Sequence, residues 1–149
     1  DEFRRTTLEA ARERGYVETL LGRRRPVPDL TSGNFAARSQ AERIAINTPV
    51  QGSAADLIKK AMIAVDRRLA AELPGQSLLL QVHDELLLEV DADRADAVAA
   101  MVREEMSGAL DLKIPLVVDV GFGRTWDEVF RKTEATPAPP PTSGVSIRI

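Results

Sequence analysis

Residues 77–90 read SLLLQVHDELLLEV. Two apolar runs, Ser77–Val82 and Glu85–Val90, are separated only by His83-Asp84, which predicts a tight antiparallel hairpin. Two-residue hairpin loops favour Asn-Gly or Asp-Gly because central residues often need positive φ. His83-Asp84 supplies no glycine, so a locally costly turn joins two good strands. Such a turn holds Asp84 and Glu85 at the end of a stiff apolar hairpin. Fixed carboxylate oxygens suit a hard cation such as Mg²⁺, although a lone Asp-Glu pair is more often a plain acidic surface turn.

Working outward, Pro74-Gly75 ends a helical pattern that begins at Thr48-Pro49-Val50-Gln51, read as a Thr cap, a Pro at the first helical position and a Gln three residues after the cap. Val50, Ala54, Leu57, Ala61, Val65 and Leu69 mark one face of that helix. A separate helix is predicted over Ala36–Ile46. Before it, Tyr16–Leu20 is a strand, Leu21-Gly22-Arg23 its turn and Arg24–Pro28 a short return. Phe3, Leu8 and Ala11 give a first helix stopped by Gly15. Downstream of the hairpin, Asp93–Met106 is an acidic amphipathic helix stopped at Ser107-Gly108. Leu116–Val120 is a third strand, and Thr125-Trp126-Asp127-Glu128 is a capping box opening a last helix, with Trp126 as a core anchor. Residues 134–144 (EATPAPPPTSG) form a Pro-rich linker expected to be extended and disordered.

The 149 residues suffice for one domain, and 29 % charged with 44 % hydrophobic residues is ordinary globular composition. No apolar run reaches membrane-spanning length. Residues 1–14 have no signal-peptide pattern. The absence of cysteine excludes disulfides and thiolate metal sites and permits a reducing compartment. Net charge is -3, which by itself argues against nucleic-acid binding. The distribution is uneven, however: residues 1–60 carry 11 Lys/Arg against 8 Asp/Glu, and residues 61–130 carry 6 against 14. That split suits one face for phosphates and another for metal ions.

The string Gln81-Val82-His83-Asp84-Glu85-Leu86 resembles motif C of family A (polymerase I-like) DNA polymerases, in which a His-Asp-Glu tip closes a palm hairpin. Gly15–Pro28 (GYVETLLGRRRPVP), Ala41–Leu57 (AERIAINTPVQGSAADL) and Gly121–Trp126 (GFGRTW) resemble the same family in its order and spacing. The resemblance implies an α+β fold, a palm segment with a small antiparallel sheet packed on helices. The sheet is expected to hold Ser77–Val90 and Leu116–Val120, with Tyr16–Leu20 as a further member. Residues 1–130 are expected to be the C-terminal part of a polymerase domain, and 131–149 a Pro-rich disordered tail.

The chemistry implied is template-directed nucleotidyl transfer with two Mg²⁺ ions. Asp84 matches a metal-binding aspartate, Glu85 an auxiliary carboxylate of the catalytic site, and His83 a contact to the primer end. The second aspartate, in motif A, and the nucleotide-gripping fingers helix are not found and are expected upstream of Asp1. The isolated chain is therefore expected to be inactive. Arg43, Asn47 and Gln51 fall at i, i+4, i+8 and share a helix side. Their donors suit the acceptors that every base pair shows in the minor groove, and the family uses the matching residues near the primer-template junction. Gly52, Ser53, Ala54 and Ala55 permit close approach of DNA or a neighbouring helix. Arg23, Arg24 and Arg25 suit phosphate oxygens.

The implied partners are a DNA primer-template, a dNTP and the remainder of the polymerase, in a cytoplasmic, nucleoid-associated setting without a membrane. Two rival readings remain: the palm of a phage-type single-subunit RNA polymerase, and a non-catalytic palm remnant that binds DNA. One His and no Cys disfavour zinc. Adjacent His83 and Asp84 make a poor triad, and no GxxxxGK[ST] loop is present.

Overall fold

The computed structural model describes residues 1–131 and 143–148. In chain order the elements are α1 (Glu2–Arg14), β1 (Tyr16–Glu18), β2 (Arg24–Pro26), α2 (Phe35–Glu72), β3 (Ser77–Val82), β4 (Glu85–Asp91), α3 (Ala95–Ser107), β5 (Asp119–Phe122), α4 (Trp126–Arg131) and β6 (Ser143–Arg148), with short 3₁₀ turns at Pro28–Thr31 and Ala92–Arg94. The mixed helix and small antiparallel sheets bear out the α+β expectation. The chain divides into two compact units, Asp1–Leu57 and Ile58–Ile149.

In the first unit, α1 ends where Gly15 takes φ 80° and returns its N–H to the Ala11 carbonyl at 2.9 Å, a left-handed cap that needs no Cβ. β1 and β2 pair antiparallel with Tyr16 opposite Pro26 and Glu18 opposite Arg24. They form a two-stranded sheet of their own, not the expected extension of the larger sheet. Ala11, Val17, Val27, Leu30, Ala41 and Ala45 make the core, with Leu8 and Ile44 packed on it. Phe3, expected in the apolar stripe of α1, is exposed.

α2 is one helix of 38 residues with Pro49 inside it, where the sequence predicted a helix to Ile46 and a fresh start at Thr48. Proline in a helix interior removes one i→i−4 hydrogen bond, here the one that would reach the Ala45 carbonyl, and two neighbouring hydroxyls bond back along the helix. Thr48 Oγ1 donates to the Ile44 carbonyl at 2.7 Å, and Ser53 Oγ donates to the Pro49 carbonyl. The cap-like chemistry at Thr48 is thus spent on continuing the helix. Leu57, Ala61, Val65 and Leu69 are buried as expected, but Val50 is 61 % exposed and Ala54 is also exposed. Before Leu57 the buried side of α2 is instead Ala41, Ala45, Thr48, Ser53 and Asp56.

The second unit is built on a four-stranded sheet of order β3-β4-β6-β5. β4 alternates as a half-buried strand should. Leu86, Leu88 and Val90 are buried, and Glu89 and Asp91 between and beyond them are exposed. α3 supplies the matching apolar face through Val98, Met101, Val102 and Met106, all buried, and packs against β4 and β5. Gln76 clamps the far end of β4, accepting from the Asp91 N–H and donating to its carboxylate at 2.9 Å.

Arg68 on α2 meets Glu72 at 2.9 Å, Glu104 at 2.6 Å and Glu105 at 2.9 Å. The hydrogen bond from Arg68 holds the Glu72 carboxyl below its ordinary value. The stabilisation from that pair is present above the ordinary carboxylate range and is lost as pH falls through the lowered pKa.

Three other expectations shift. The third strand is Asp119–Phe122 rather than Leu116–Val120. Trp126 is 42 % exposed rather than a core anchor, because it stands at the first position of α4, beside the cap. Half of the predicted box forms, the Glu128 N–H donating to Thr125 Oγ1 at 3.3 Å, while the Glu128 carboxylate accepts the N–H of Arg124, one residue before the cap, at 2.9 Å. Ser143–Arg148, expected within a disordered tail, is a strand. Its Val-Ser-Ile core has the β-branched alternation that fits a pleated surface, and two neighbouring strands pair with it. The linker expectation for 134–142 falls outside the described residues.

Candidate functional sites on the hairpin tip and on helix α2

The first candidate site is the β3–β4 turn. Val82 pairs directly with Glu85, leaving His83-Asp84 as the two-residue loop. His83 has φ 55°, and no other non-glycine residue among those described has a positive φ. Positive φ at the first loop position alone is the pattern of a type II′ turn, which normally takes glycine there. The expected local cost is therefore present, carried by His83 and not by Asp84. The Gln81 side chain donates to the His83 carbonyl, a brace that the sequence reading missed because it weighed Gln81 only as part of a motif. The turn presents His83 and Asp84 to solvent, whereas Glu85 is buried as the first residue of β4.

On the other side of β4's start, register irregularities occur farther away, between Leu78 and Leu80 in β3. The tip itself is regularly paired. Asp84 is thus an exposed carboxylate on a rigid support, and its oxygens are hard donors of the kind Mg²⁺ takes. Among the described residues no cluster of three or more His, Cys, Asp or Glu could hold a metal ion.

The second candidate site is the outer face of α2 in the first unit. Arg43, Asn47 and Gln51 are all exposed, as their spacing requires, while Ala41, Ala45 and Thr48 take the buried side. Gln51 also lines an open cleft with Arg23, Arg24, Arg25, Thr48 and Gly52; Arg43 and Asn47 lie outside that cleft's lining.

The three arginines have separate surroundings. Arg23 Nε donates to Asp56 at 2.8 Å and its Nη2 to the Gly52 carbonyl at 3.0 Å. Arg24 donates to Glu18 at 2.7 Å and lies 4.6 Å from the Tyr16 ring centre. Arg25 is exposed. Arg23 is therefore a strut between the hairpin and α2.

The small residues of α2 serve the same contact. A Cβ on Gly52 would stand 2.6 Å from Thr19 Cγ2, so only glycine lets the hairpin sit this close. Buried Ser53 Oγ accepts the Leu20 N–H at 2.8 Å while donating to Pro49. The expected seam for DNA or a neighbouring helix thus holds the β1–β2 hairpin at Gly52 and Ser53. Ser53 and Asp56 went unread as hairpin anchors; the available signal was two polar residues falling on the helix side that also carries Ala45 and Thr48.

We expect Ser53→Ala to lower stability by about 1–2 kcal/mol, because it leaves the Leu20 amide and the Pro49 carbonyl without their shared partner. Chemical denaturation of both chains checks this, and a change under about 0.5 kcal/mol would show the hydroxyl to be dispensable.

The model for "DNA polymerase family A" matches residues 1–128. This chain belongs to DNA polymerase family A. It is 51 % identical over 126 residues to DNA polymerase I of Mycobacterium tuberculosis H37Rv, covering 85 % of this chain and 14 % of that protein. It is 55 % identical over 120 residues to the thermostable DNA polymerase I of Thermus aquaticus, covering 80 % of this chain and 14 % of the relative. A solved structure, the POL domain of Pol1 from M. smegmatis in complex with DNA primer-template and dNTP, superposes with a TM-score of 0.84 at 47 % identity over 87 % of this chain and 23 % of that one. The family A chain described here thus spans about 14 % of the length of the curated relatives it matches. No helix among the described residues is long and apolar enough to cross a membrane.

Proposed function

We propose that this chain is the motif C segment of a family A DNA polymerase and contributes to template-directed DNA synthesis as part of a larger enzyme. The observation that carries the reading is the His83-Asp84 turn, strained at His83 and braced by Gln81, within a segment matched to family A over residues 1–128. Asp84 would hold Mg²⁺ together with a carboxylate from outside the chain. When bound, such ions lower the pKa of the attacking hydroxyl and offset charge on the leaving phosphates. The paired strands fix the backbone that carries Asp84, and His83, exposed beside it, would meet the primer terminus. Glu85, buried as the first residue of β4, would add negative potential next to it.

The exposed stripe of Arg43, Asn47 and Gln51 would follow the minor groove near the primer end, with Arg25 and Arg24 offered to phosphates. A primer-template is the natural substrate, with a dNTP as co-substrate, and the setting is cytoplasmic and close to the nucleoid. The relatives, all named DNA polymerase I, favour this over the RNA polymerase and non-catalytic readings.

The chain by itself is expected not to extend a primer, since it offers Asp84 without a second metal-binding aspartate. A primer-extension assay with Mg²⁺ checks this against an Asp84→Ala control. Synthesis that vanishes in the control would mean that the chain is self-sufficient.

A further inference from the structure

Pro49 stands inside α2 between Asn47 and Gln51. It has no N–H to return to the Ala45 carbonyl, and its ring crowds that carbonyl. The backbone ladder is therefore interrupted within the exposed stripe, with Arg43 and Asn47 on one side of the interruption and Gln51 on the other. Spacing at i, i+4, i+8 aligns three side chains only while the helix is regular, and proline is a usual site of helix kinks. At this step the alignment of Gln51 with its two companions depends on contacts from outside the helix.

The β1–β2 hairpin makes such contacts on both sides of Pro49. Before the proline, Ala41 and Ala45 share a core with Val17 of β1 and Val27 just beyond β2. After it, the hairpin turn grips α2 at three polar points. The Leu20 N–H donates to Ser53 Oγ at 2.8 Å, Arg23 Nη2 to the Gly52 carbonyl at 3.0 Å, and Arg23 Nε to Asp56 at 2.8 Å. The turn that carries these donors is itself closed. The Gly22 N–H donates to the Thr19 carbonyl at 2.9 Å, the Thr19 N–H to the Arg23 carbonyl at 3.0 Å, and the Arg23 N–H to Thr19 Oγ1 at 3.1 Å. Gly52, directly after Gln51, lets this turn sit against the helix. All these groups belong to the Asp1–Leu57 unit.

We infer that the β1–β2 hairpin is a splint across the proline interruption of α2, and that Arg23 is a positioning residue that keeps Gln51 in line with Asn47 and Arg43 at the primer end. The splint stands on the contacts alone. Its consequence for DNA synthesis rests on the minor-groove role proposed above for Gln51. Arg23 acts there without touching DNA, through its anchor on the residue next to Gln51.

Amide hydrogen exchange on the 149-residue chain tests the splint without DNA. Arg23→Ala should speed exchange at residues 50–53 at least about tenfold, with residues 61–69 unchanged. Ser53→Ala removes the Leu20 anchor at a buried position and should repeat the effect more weakly, a second route where Arg23→Ala folds poorly. Pro49→Ala returns the donor that the ladder lacks. Combined with Arg23→Ala, it should bring residues 50–53 back to within about threefold of the parent. Exchange that rises evenly along α2, or a rise that Pro49→Ala does not correct, would overturn the splint.

In the complete polymerase the readout is the ratio of single-turnover extension from matched and mismatched primer ends. Arg23→Ala should raise this ratio at least about threefold with Gln51 intact. In a Gln51→Ala background it should add less than about twofold, because the residue it acts through is gone. In an Arg43→Ala background it should keep its full factor, and Pro49→Ala should reverse it. Val102→Ala, a buried change in α3, loses stability without touching the splint and should leave the ratio alone.

A ratio unmoved by Arg23→Ala, in an enzyme that Gln51→Ala does disturb, would overturn the positioning role and leave the polymerase reading intact. Equal factors with and without Gln51, or a raised ratio in Val102→Ala, would overturn it too, since either marks a general loss of stability. If Gln51→Ala itself leaves the ratio unchanged, the minor-groove reading and the positioning role fall together, and the exchange result still decides the splint.

Discussion

In the complete polymerase carrying this segment, Asp84→Asn is expected to lower kcat by roughly 10²–10³-fold, the scale on which a fixed electrostatic partner of developing charge acts. The substitution keeps the size of the side chain and removes only the charge proposed to hold the metal, so substrate placement should be retained. Duplex affinity rests on phosphate contacts and should hold or rise slightly as a negative charge leaves the site. Gln51→Ala and Arg43→Ala should act differently. Each removes a contact worth about 1–3 kcal/mol, slowing extension from mismatched ends more than from matched ones, with the Mg²⁺ requirement unchanged. Single-turnover incorporation, Mg²⁺ titration and DNA affinity at one salt concentration separate the two behaviours. A near-normal rate in Asp84→Asn, or a shifted Mg²⁺ requirement in Gln51→Ala, would reverse the assignment.

Arg23→Ala is expected to destabilise the chain by about 2 kcal/mol. The substitution takes a charge-assisted donor from Asp56 and a second donor from the Gly52 carbonyl. Asp56 is 9 % exposed, so its ionised form loses a partner where water replaces it poorly. Arg23 is half exposed, which keeps the cost below that of a fully buried pair. Lysine should not restore the loss, because one ammonium cannot reproduce two fixed N–H directions. Asp56→Ala combined with Arg23→Ala should cost less than the sum of the single changes. Additive single changes, or an Arg23→Ala chain as stable as its parent, would mean that the strut carries no load. DNA affinity of the same variant in the full polymerase is expected to move less than that of Arg25→Ala, since Arg23 is already committed within the fold.

The sequence was most legible where several local signals agreed. The hairpin at 77–90 had two apolar runs, a loop of fixed length and an unfavourable turn residue, and all three are present in the structure. The side shared by Arg43, Asn47 and Gln51 followed from helix geometry alone. Thr48-Pro49 was misread because its local chemistry fits a helix start as well as a braced helix interior. In the structure the Thr48 and Ser53 hydroxyls both bond back to carbonyls one turn away, a use of these residues that the cap pattern does not reveal. The β-branched pattern of Val145–Ile147 was visible, but its partners lie more than fifty residues back in β4 and more than twenty back in β5. A Pro-rich approach masked a strand whose pairing is entirely long-range. The burial of Asp56 was hidden for a similar reason, since its partner Arg23 lies 33 positions away.

The register irregularity between Leu78 and Leu80 bears on how such a chain behaves in solution. β3 is an outer strand of its sheet, and Leu79 and Leu80 are 50 % and 49 % exposed. A straight apolar edge of that kind recruits other edges and seeds aggregation. The bulge at Leu79 breaks the even row of backbone donors and acceptors that an incoming edge would need, and it turns the strand locally. An edge that is apolar but irregular admits side-chain packing more readily than ladder growth, which sets this strand against open-ended pairing with other edges.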